Sequence, residues 1–429
     1  MLSVAAGYEH SLALKNDGTV VAWGDGAYGQ TNPVPTLSGV KAIAAGGHHS
    51  LAVIFSRLVQ YPVDVTKDLL LIYNTNSMDS FNVCSYYLQH RPMVSAANVM
   101  GISFSGIFVS IGGGTNNGGN NTFATITNTT VYESVTSNAF TNQILTPLLT
   151  WLNKSPTKRP QYVILFLDVP SQIDDRATVG SNYPFYTDGE CPSVSAQLAT
   201  SLSGWNPFIT HLNMNGTNDC FAYINKLASI GTNYALANPI ISASARRYGD
   251  THYYFDNTGN LFITTNVSGL NASNAVAQAG ALPAAVIYTN VTDNGLAYHL
   301  TNGMNVAGYL SEGVHSSLGY NYATNGYVQW SGNSGWWIIE TVESYNGQRY
   351  RLDQSKFTQW FAHNAFGGTD YSNTPIGAVS HTTEPGQSCV NDAAIYFGLW
   401  QSGKNFGMCA WTSRLTPHFQ AVGDPLVVR

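Results

Sequence analysis

The first 53 residues alternate apolar and polar positions over short segments that are separated by turn residues. Asn16-Asp17-Gly18 and Gly24-Asp25-Gly26 carry the residue types that favour tight reversals of the chain. The segment VAAGYEHSLAL at 4–14 returns as IAAGGHHSLAV at 43–53, a period of 39 residues. Periods of this length are typical of propeller blades, so we predict a small all-β, propeller-blade-like segment over residues 1–53.

From about residue 64, continuous apolar runs alternate with segments of helical periodicity. The runs LLLIY (69–73) and YVILFLDV (162–169) predict buried strands, and NVAGYLS (305–311) and IGAVSHT (376–382) are further strand candidates. Helices are predicted at about 193–203, 219–230, 293–302, 353–364 and 392–401. This alternation predicts an α/β fold, with a mostly parallel or mixed sheet flanked by helices and ligand sites at the carboxyl ends of strands.

The chain of 429 residues is long enough for two to three domains. The change of pattern predicts three parts. They are a β repeat at 1–53, a linker at 54–63 and an α/β domain at 64–429.

Charged residues are scarce, at 10% of the chain against about 25% in typical soluble domains. Such a polar, weakly charged surface favours an extracellular or cell-surface location. The net charge is −6 and the sequence has no Lys/Arg cluster, which argues against a nucleic-acid partner. The apolar runs are far shorter than the roughly 18–20 residues of a membrane span. The N-terminus MLSVAAGYEH lacks the features of a signal peptide, so we expect an export signal outside this chain.

The five cysteines show no C-x-x-C spacing and thus neither a zinc nor a thioredoxin signature. Short-range disulfides Cys191–Cys220 and Cys389–Cys409 are options, and free buried thiols are the alternative. Glu312-x-x-His315 has the spacing of some metal sites. No His-Glu-x-x-His motif or Asp-rich calcium loop accompanies it, so we expect neither a metal nor another cofactor.

Residues 4–30 resemble the regulator of chromosome condensation repeat. The resemblance lies in the Gly-x-x-His-Ser-x-Ala-Leu core, the Asp-Gly-Thr-Val turn and the Trp-Gly-x-x-x-x-Gly-Gln end. It implies a structural role for His10 and His49, which occupy the fixed His-Ser position of the repeat. A single blade has unpaired faces, so we expect it to dock on the α/β domain, to associate with another chain, or to be the last unit of a truncated array.

The larger part resembles an uncharacterised family of exported bacterial proteins. The resemblance is carried by LLLIYNTNSMDSFNVCSYYLQHRPM (69–93), VILFLDVPSQI (163–173), SVSAQL (193–198), VAGYLSEG (306–313), AVSHTTEPG (378–386) and AVGDPLV (421–427). The strand–helix alternation and the closing Gly-Asp-Pro are also distantly similar to gingipain-type and caspase-like peptidases. That similarity implies a His after one strand of the sheet and a Cys nucleophile after the next.

The corresponding positions here are the loop after VAGYLS, with His315, and the end of IGAVS, with Ser380 and His381. The position expected for Cys holds Ser or His. Ser380 with His315 or His381, oriented by Glu312 or Glu384, is one nucleophile–base hypothesis. Cys389, just before a predicted helix, is the alternative nucleophile. The competing interpretation is that Ser380 ends a core strand and His381 bonds the loop beneath it.

Aromatic side chains are dense in YNYATNGYVQWSGNSGWW (320–337). Tyr327, Trp330, Trp336 and Trp337 are candidates for stacking on a carbohydrate or a protein ligand, whereas the competing interpretation is that the paired tryptophans cover the sheet. Two functions follow from the sequence. One is a hydrolase-like, degenerate peptidase-like domain, and the other is a non-catalytic adhesion or ligand-binding module of the cell surface.

Overall fold

A computed structural model describes much of the chain. The described residues are 3–15, 19–32, 40–54, 63, 65–111, 114–115, 122–123, 126–154, 160–175, 192–202, 205, 207–233, 253–254, 260–263, 287–288, 302–311, 313, 321–352, 354–385, 390–401 and 403–429. The chain divides into two compact units, Met1–Tyr61 and Pro62–Arg429.

The first unit is all-β. Strands β1 (Ser3–Ala6), β2 (His10–Leu14) and β3 (Val20–Gly24) form an antiparallel sheet, and β4 (Val40–Ala45) pairs with β5 (Ser50–Ile54). His10 is buried, and its Nε2 lies 3.0 Å from the Ser50 hydroxyl of the second repeat copy. The predicted blade-like β segment is confirmed, and His10 joins the two copies.

A ten-stranded sheet forms the centre of the second unit. Its strands are β6 (Leu69–Asn74), β7 (Val99–Ile102), β13 (Tyr162–Phe166), β15 (Phe208–Leu212), β18 (Asn260–Ile263), β19 (Ile287–Tyr288), β21 (Val306–Ser311), β23 (Ile338–Thr341), β24 (Gly377–His381) and β25 (Phe419–Gly423). The shorter strands lie outside it: β8 (Ile107–Ile111), β9 (Gly114–Thr115), β10 (Thr122–Phe123), β11 (Ile126–Val131), β12 (Ser134–Val135), β14 (Gln172–Ile173), β16 (Thr232–Asn233), β17 (Tyr253–Tyr254), β20 (Asn302–Met304), β22 (Gln329–Ser331) and β26 (Val427–Val428).

The order across the sheet is β19-β18-β21-β23-β24-β25-β15-β13-β6-β7. The pairs within β19-β18-β21-β23-β24 and within β15-β13-β6-β7 are parallel, and β24 runs antiparallel to β25. Continuous apolar strands such as LLLIYN and YVILF are buried on both faces, as parallel strands require. The predicted mixed α/β sheet is confirmed.

The helices cover both faces of this sheet. They are α1 (Met78–His90), α2 (Ser137–Ala139), α3 (Thr146–Lys154), α4 (Val194–Ser201), α5 (Thr217–Ile230), α6 (Phe357–Trp360), α7 (Ala393–Gln401) and α8 (Phe406–Thr412). A π-helical segment, Phe140–Leu145, joins α2 to α3, and 3₁₀ turns lie at Ala96–Asn98 and Ala365–Gly367. None of the helices within the described ranges is both long and apolar enough to cross a membrane.

The buried apolar side chains form two clusters, one on each face of the sheet. Side chains of α1 and α5, such as Tyr87 and Tyr223, belong to one cluster, whereas those of α3 and α4, such as Leu148 and Leu198, belong to the other. The chain passes from β6 through α1 to β7 on one side and then returns to β13 on the other side of β6. The direction of winding therefore reverses between β6 and β13, and a crevice opens at the carboxyl ends of strands at such a point.

Candidate functional site

A polar crevice of about 250 Å³ lies where β6, β13 and β15 end. Its wall is formed by Asp79, Thr130, Val131, Tyr132, Glu133, Leu167, Asp168, Val169, Asn213, Asn215, Gly216, Arg349 and Tyr350. The crevice therefore occupies the position at which an open α/β sheet usually holds its ligand.

Asp168 lies in the wall of the crevice, two residues after the end of β13. Its backbone is in the left-handed region at φ 62°, which is uncommon for a residue other than glycine and is found often at functional sites. One carboxylate oxygen, Oδ2, accepts a hydrogen bond of 2.5 Å from the hydroxyl of Ser77. Burial raises the pKa of the Asp168 carboxyl, and Asp79 adds to the rise, although the Ser77 hydrogen bond and Arg349 oppose it.

Asn74 fixes the turn that carries Asp168. This last residue of β6 is buried, and its Nδ2 donates to the carbonyl oxygens of Phe104 at 2.8 Å and Asp168 at 3.0 Å. Ser77 is the N-cap of α1, since its hydroxyl also accepts from the Ser80 N–H. The position of the carboxyl is thus set by a buried amide and a helix cap.

Arg349 is the cation of the wall. Its Nε donates to Glu133 at 3.2 Å, and its two terminal nitrogens donate to the carbonyls of Met214 at 2.6 Å and Asn213 at 2.5 Å. Glu133 also accepts from Ser171 at 3.1 Å. A guanidinium has five N–H donors, so two remain without an acceptor in the part of the chain that the structure describes.

Two further features add unused hydrogen-bonding capacity. Asn213 is only 3% exposed, and its Oδ1 has no hydrogen-bond partner in the described structure. Helix α5 begins at the wall, and its N-cap, Gly216, supplies no side-chain hydrogen bond to the first-turn N–H groups. The wall therefore contains a buried acceptor and helix N–H donors that no side chain of the described protein satisfies.

Ser380 and His381, predicted from the sequence, are the last two residues of β24, and neither belongs to the wall of this crevice. Both are completely buried. The N–H of Gly347 donates to the His381 carbonyl at 2.9 Å, and Gln348 Nε2 donates to the Thr382 carbonyl at 2.8 Å. The same loop continues to Arg349, so one segment joins the end of β24 to the end of β15.

The Ser380 and His381 side chains point to opposite faces of the sheet, because consecutive residues of a strand alternate. They therefore do not form a nucleophile–base pair with each other. The Ser380 hydroxyl lies against Gly347, where an added Cβ would come within 3.2 Å of it. Burial lowers the pKa of His381 to about 4, while the nearby Glu343 main chain and Asn391 oppose that change. His315, Glu312 and Cys389 lie outside the described residues.

The order of strands bears on the proposed partnership of His315 with Ser380. β23 lies between β21, which precedes His315 in the chain, and β24. The residues after β23 include Glu343, a buried carboxylate that accepts hydrogen bonds from Thr341 Oγ1 and Ser355 Oγ, each at 2.5 Å. Gly313, at the end of β21, packs directly against the Glu343 carboxyl group. The strand next to β21 in the sheet, β23, is thus followed two residues later by Glu343, which was not predicted from the sequence.

The four aromatic candidates differ in exposure. Trp336 and Trp337 are completely buried, Trp330 is 4% exposed and Tyr327 is half-buried. Trp330 stacks on Phe366 with ring centroids 5.5 Å apart, and Trp336 Nε1 donates to the Val428 carbonyl at 2.8 Å. The tryptophan rings contribute to the core, and Tyr327 alone of the four offers substantial accessible surface.

Cys84, Cys220 and Cys409 are free and buried, so neither short-range disulfide forms. Burial raises the pKa of the Cys84 and Cys220 thiols to about 12. Within the described ranges, no group of three or more His, Cys, Asp or Glu side chains is arranged to hold a metal ion.

Asp168 and Arg349 were not among the site residues predicted from the sequence. Asp168 was detectable in principle, because it follows a predicted buried strand of a parallel sheet, where functional side chains collect. Arg349 had no comparable signal. It lies in an irregular segment 136 residues after Asn213, whose carbonyl it binds.

Residues 2–30 match the Regulator of chromosome condensation (RCC1) repeat, which supports the repeat predicted at the N-terminus. No curated protein matches the chain. A solved structure described as "Structure of Protease" is 8% identical, with 84% of this chain and 78% of that chain covered and a TM-score of 0.37. A likeness at this TM-score carries no argument about function.

Proposed function

We propose that the α/β unit is a hydrolase-like domain whose reaction takes place in the crevice between β6 and β13. Asp168 is the group that transfers the proton. The observation that carries this proposal is the environment of Asp168: a raised pKa, a left-handed backbone and a place in an open polar crevice. Perturbed carboxyls in clefts are candidates for acid–base catalysis on physical grounds.

The surroundings fit this role for Asp168. A carboxyl whose pKa is raised is a stronger base when it is ionised, and it can return the proton that it has accepted. In a hydrolysis, the ionised carboxylate takes a proton from the attacking water, whose oxygen forms the new bond to the substrate. The bond between the substrate and its leaving group breaks, and the protonated carboxyl gives its proton to that group. The two open N–H groups of Arg349 lie in the same wall and stabilise negative charge that develops on the substrate.

The sequence-derived centre at Ser380, with His315 or with Cys389 as nucleophile, is the competing catalytic proposal. It requires the Gly347–Arg349 loop to move, because Ser380 is completely buried beneath it. The non-catalytic proposal is a binding or adhesion module. Whichever function the protein has, we also propose an extracellular or cell-surface location, supported by the low fraction of charged residues, 10% of the chain.

The test uses the full chain with a panel of chromogenic esters, amides and glycosides. Asp168→Asn keeps the size of the side chain and removes the proton-transfer group, so the expected loss of turnover is at least about 100-fold. Asp370→Asn is the matched control, because Asp370 also has a positive φ, of 55°, but is exposed and absent from the crevice wall.

Each other outcome counts against the proposal. Full turnover by Asp168→Asn contradicts the role of Asp168. Loss of turnover in Ser380→Ala, together with labelling of the wild type by a fluorophosphonate, moves the reaction to Ser380. A complete lack of turnover across the panel favours the non-catalytic module.

A further inference from the structure

We propose that the crevice binds a small zwitterion, an α-amino acid or a molecule that likewise carries an ammonium and a carboxylate group a few bonds apart. This inference concerns the same crevice as the proposed function and deepens it by naming the class of ligand. It rests on hydrogen-bonding groups of the wall that the protein itself leaves unused.

The acceptors collect at the α1 and β13 side of the crevice. Asp168 uses Oδ2 for Ser77 and leaves Oδ1 without a donor in the described structure. Asp79, in the first turn of α1, has an exposed carboxylate in the same wall. The two carboxylates act on each other and on Tyr132, whose hydroxyl pKa is raised by burial and then by both of them. An ammonium group supplies the positive charge and the three donors that this side needs.

The donors collect at the β15 and α5 side. Arg349 is held against the carbonyls of Asn213 and Met214, immediately before α5, and keeps two N–H groups open. The N-terminus of α5, a helix of 14 residues, begins there with no side-chain cap. An added Cβ at Gly216 would meet no atom within 4 Å, so the approach to this helix end is open. A carboxylate is the group that an uncapped helix N-terminus and a guanidinium bind together.

Asn213 provides independent support for a ligand. Its Oδ1 is a buried acceptor without a partner in the described protein, on a side chain that is 3% exposed and belongs to the wall of the crevice. A buried acceptor without a donor costs about 1–3 kcal/mol, and such a group indicates a partner that completes the site. A ligand N–H between the two sides, such as that of the ammonium, satisfies it.

Charge and size restrict the ligand further. Glu133 neutralises the charge of Arg349 within the wall. A ligand that carries only a carboxylate is therefore repelled by Asp168 and Asp79, because it brings no positive charge to pair with them. A ligand that carries only an ammonium leaves the open N–H groups of Arg349 and α5 without an acceptor. The volume of about 250 Å³ accommodates a molecule of amino-acid size.

Calorimetric titration of the full chain tests this proposal with L-alanine, ethylamine and propionate, followed by L-glutamine, L-lysine and L-phenylalanine. We expect L-alanine to bind at least about tenfold more tightly than ethylamine or propionate, since each analogue lacks one charge-assisted contact. Asp168→Asn should weaken L-alanine binding by a similar factor, and Asp370→Asn should leave it unchanged.

The proposal is overturned if ethylamine or propionate binds as tightly as L-alanine. It is equally overturned if none of the four amino acids binds at about 10 mM, a concentration that detects even weak sites. It is also overturned if Asp168→Asn binds L-alanine normally while its melting temperature matches that of the wild type. Binding is measured without turnover, so an amino acid that binds while every hydrolase probe fails supports the ligand class and counts against catalysis alone.

Discussion

Acidification should destabilise the α/β unit in part through His381. The ring is completely buried, and burial lowers its pKa from 6.5 to about 4. An unfolded chain therefore binds a proton at this residue near pH 6.5, whereas the folded chain does not until about pH 4. Between these values the unfolded state holds more protons, so stability is full above pH 6.5 and decreases as the pH falls toward 4.

The magnitude follows from the two pKa values. At about 1.36 kcal/mol per pKa unit, the whole gap is worth about 3 kcal/mol, of which about 2 kcal/mol is lost between pH 7 and pH 5. His211 acts in the same direction, because burial lowers its pKa to about 3. Glu340 acts in the opposite direction, because burial raises its pKa well above the usual value. Only the difference between the wild type and a His381 variant isolates the single residue.

His381→Gln replaces the ring with a neutral polar group that does not titrate. Urea unfolding of both chains at pH 7 and pH 5, followed by tryptophan fluorescence, gives the two free energies of unfolding. The signal reports the second unit, since eight of the nine tryptophans follow residue 62 and Trp336, Trp337, Trp360 and Trp400 are completely buried. The wild type should lose about 2 kcal/mol more than the variant. If the two chains lose the same unfolding free energy between pH 7 and pH 5, His381 is protonated at pH 5 in the folded state as well. That result would refute the burial of His381 as a neutral ring.

Lys226 and the cysteines give two further predictions. Burial lowers the pKa of Lys226 from 10.5 to about 7, so the unfolded chain binds more protons between these values and stability should rise from pH 7 to pH 8.5. The wild type should gain about 1.5 kcal/mol more than Lys226→Met in urea unfolding, and parallel changes in the two chains would contradict the burial of a neutral amine. The buried thiols of Cys84, Cys220 and Cys409 should resist iodoacetamide in the native chain and react in urea, as mass spectrometry of digests measures, and rapid native labelling at any of them would contradict their burial.

The fold was predictable where one physical requirement decides the local structure. LLLIY and YVILF are apolar on every position, and only burial on both faces satisfies such a run. The helix predicted at 219–230 forms as Thr217–Ile230 for the same kind of reason, a regular apolar face. These features are local, so the sequence alone was sufficient.

The helix predicted at 353–364 shows where local pattern fails. Only Phe357–Trp360 is α-helical, although Phe357, Trp360 and Phe361 are all buried as the pattern requires. The preceding residues are held by polar contacts instead, since Ser355 binds Glu343 and Lys356 Nζ donates to the Arg351 carbonyl at 2.7 Å. Asn364 then adopts a positive φ of 59°. These buried polar contacts, which the periodicity does not reflect, overrode it.

The site was predictable only in part, because it depends on which strands are neighbours. Ser380 and His381 attract attention through their chemistry, but the wall of the crevice includes neither of them. The position of β23 between β21 and β24, however, follows from the order of the whole sheet, which no local segment carries. The ion pair of Glu133 with Arg349 joins residues 216 positions apart for the same reason.

The Gly347–Arg349 loop decides between the two catalytic proposals. Exposure of Ser380 requires the bonds from Gly347 N–H to the His381 carbonyl and from Gln348 to the Thr382 carbonyl to break. At about 1 kcal/mol each, they hold the open form about 30-fold below the closed one. Asp168 needs no such opening, because it already lies in the wall of an accessible crevice. A fluorophosphonate should therefore label Ser380 at least about 30-fold more slowly than an open, activated serine, and Gln348→Ala should raise that rate about fivefold by removal of one bond. Labelling at an unchanged rate in Gln348→Ala would show that this hydrogen bond does not control access to Ser380.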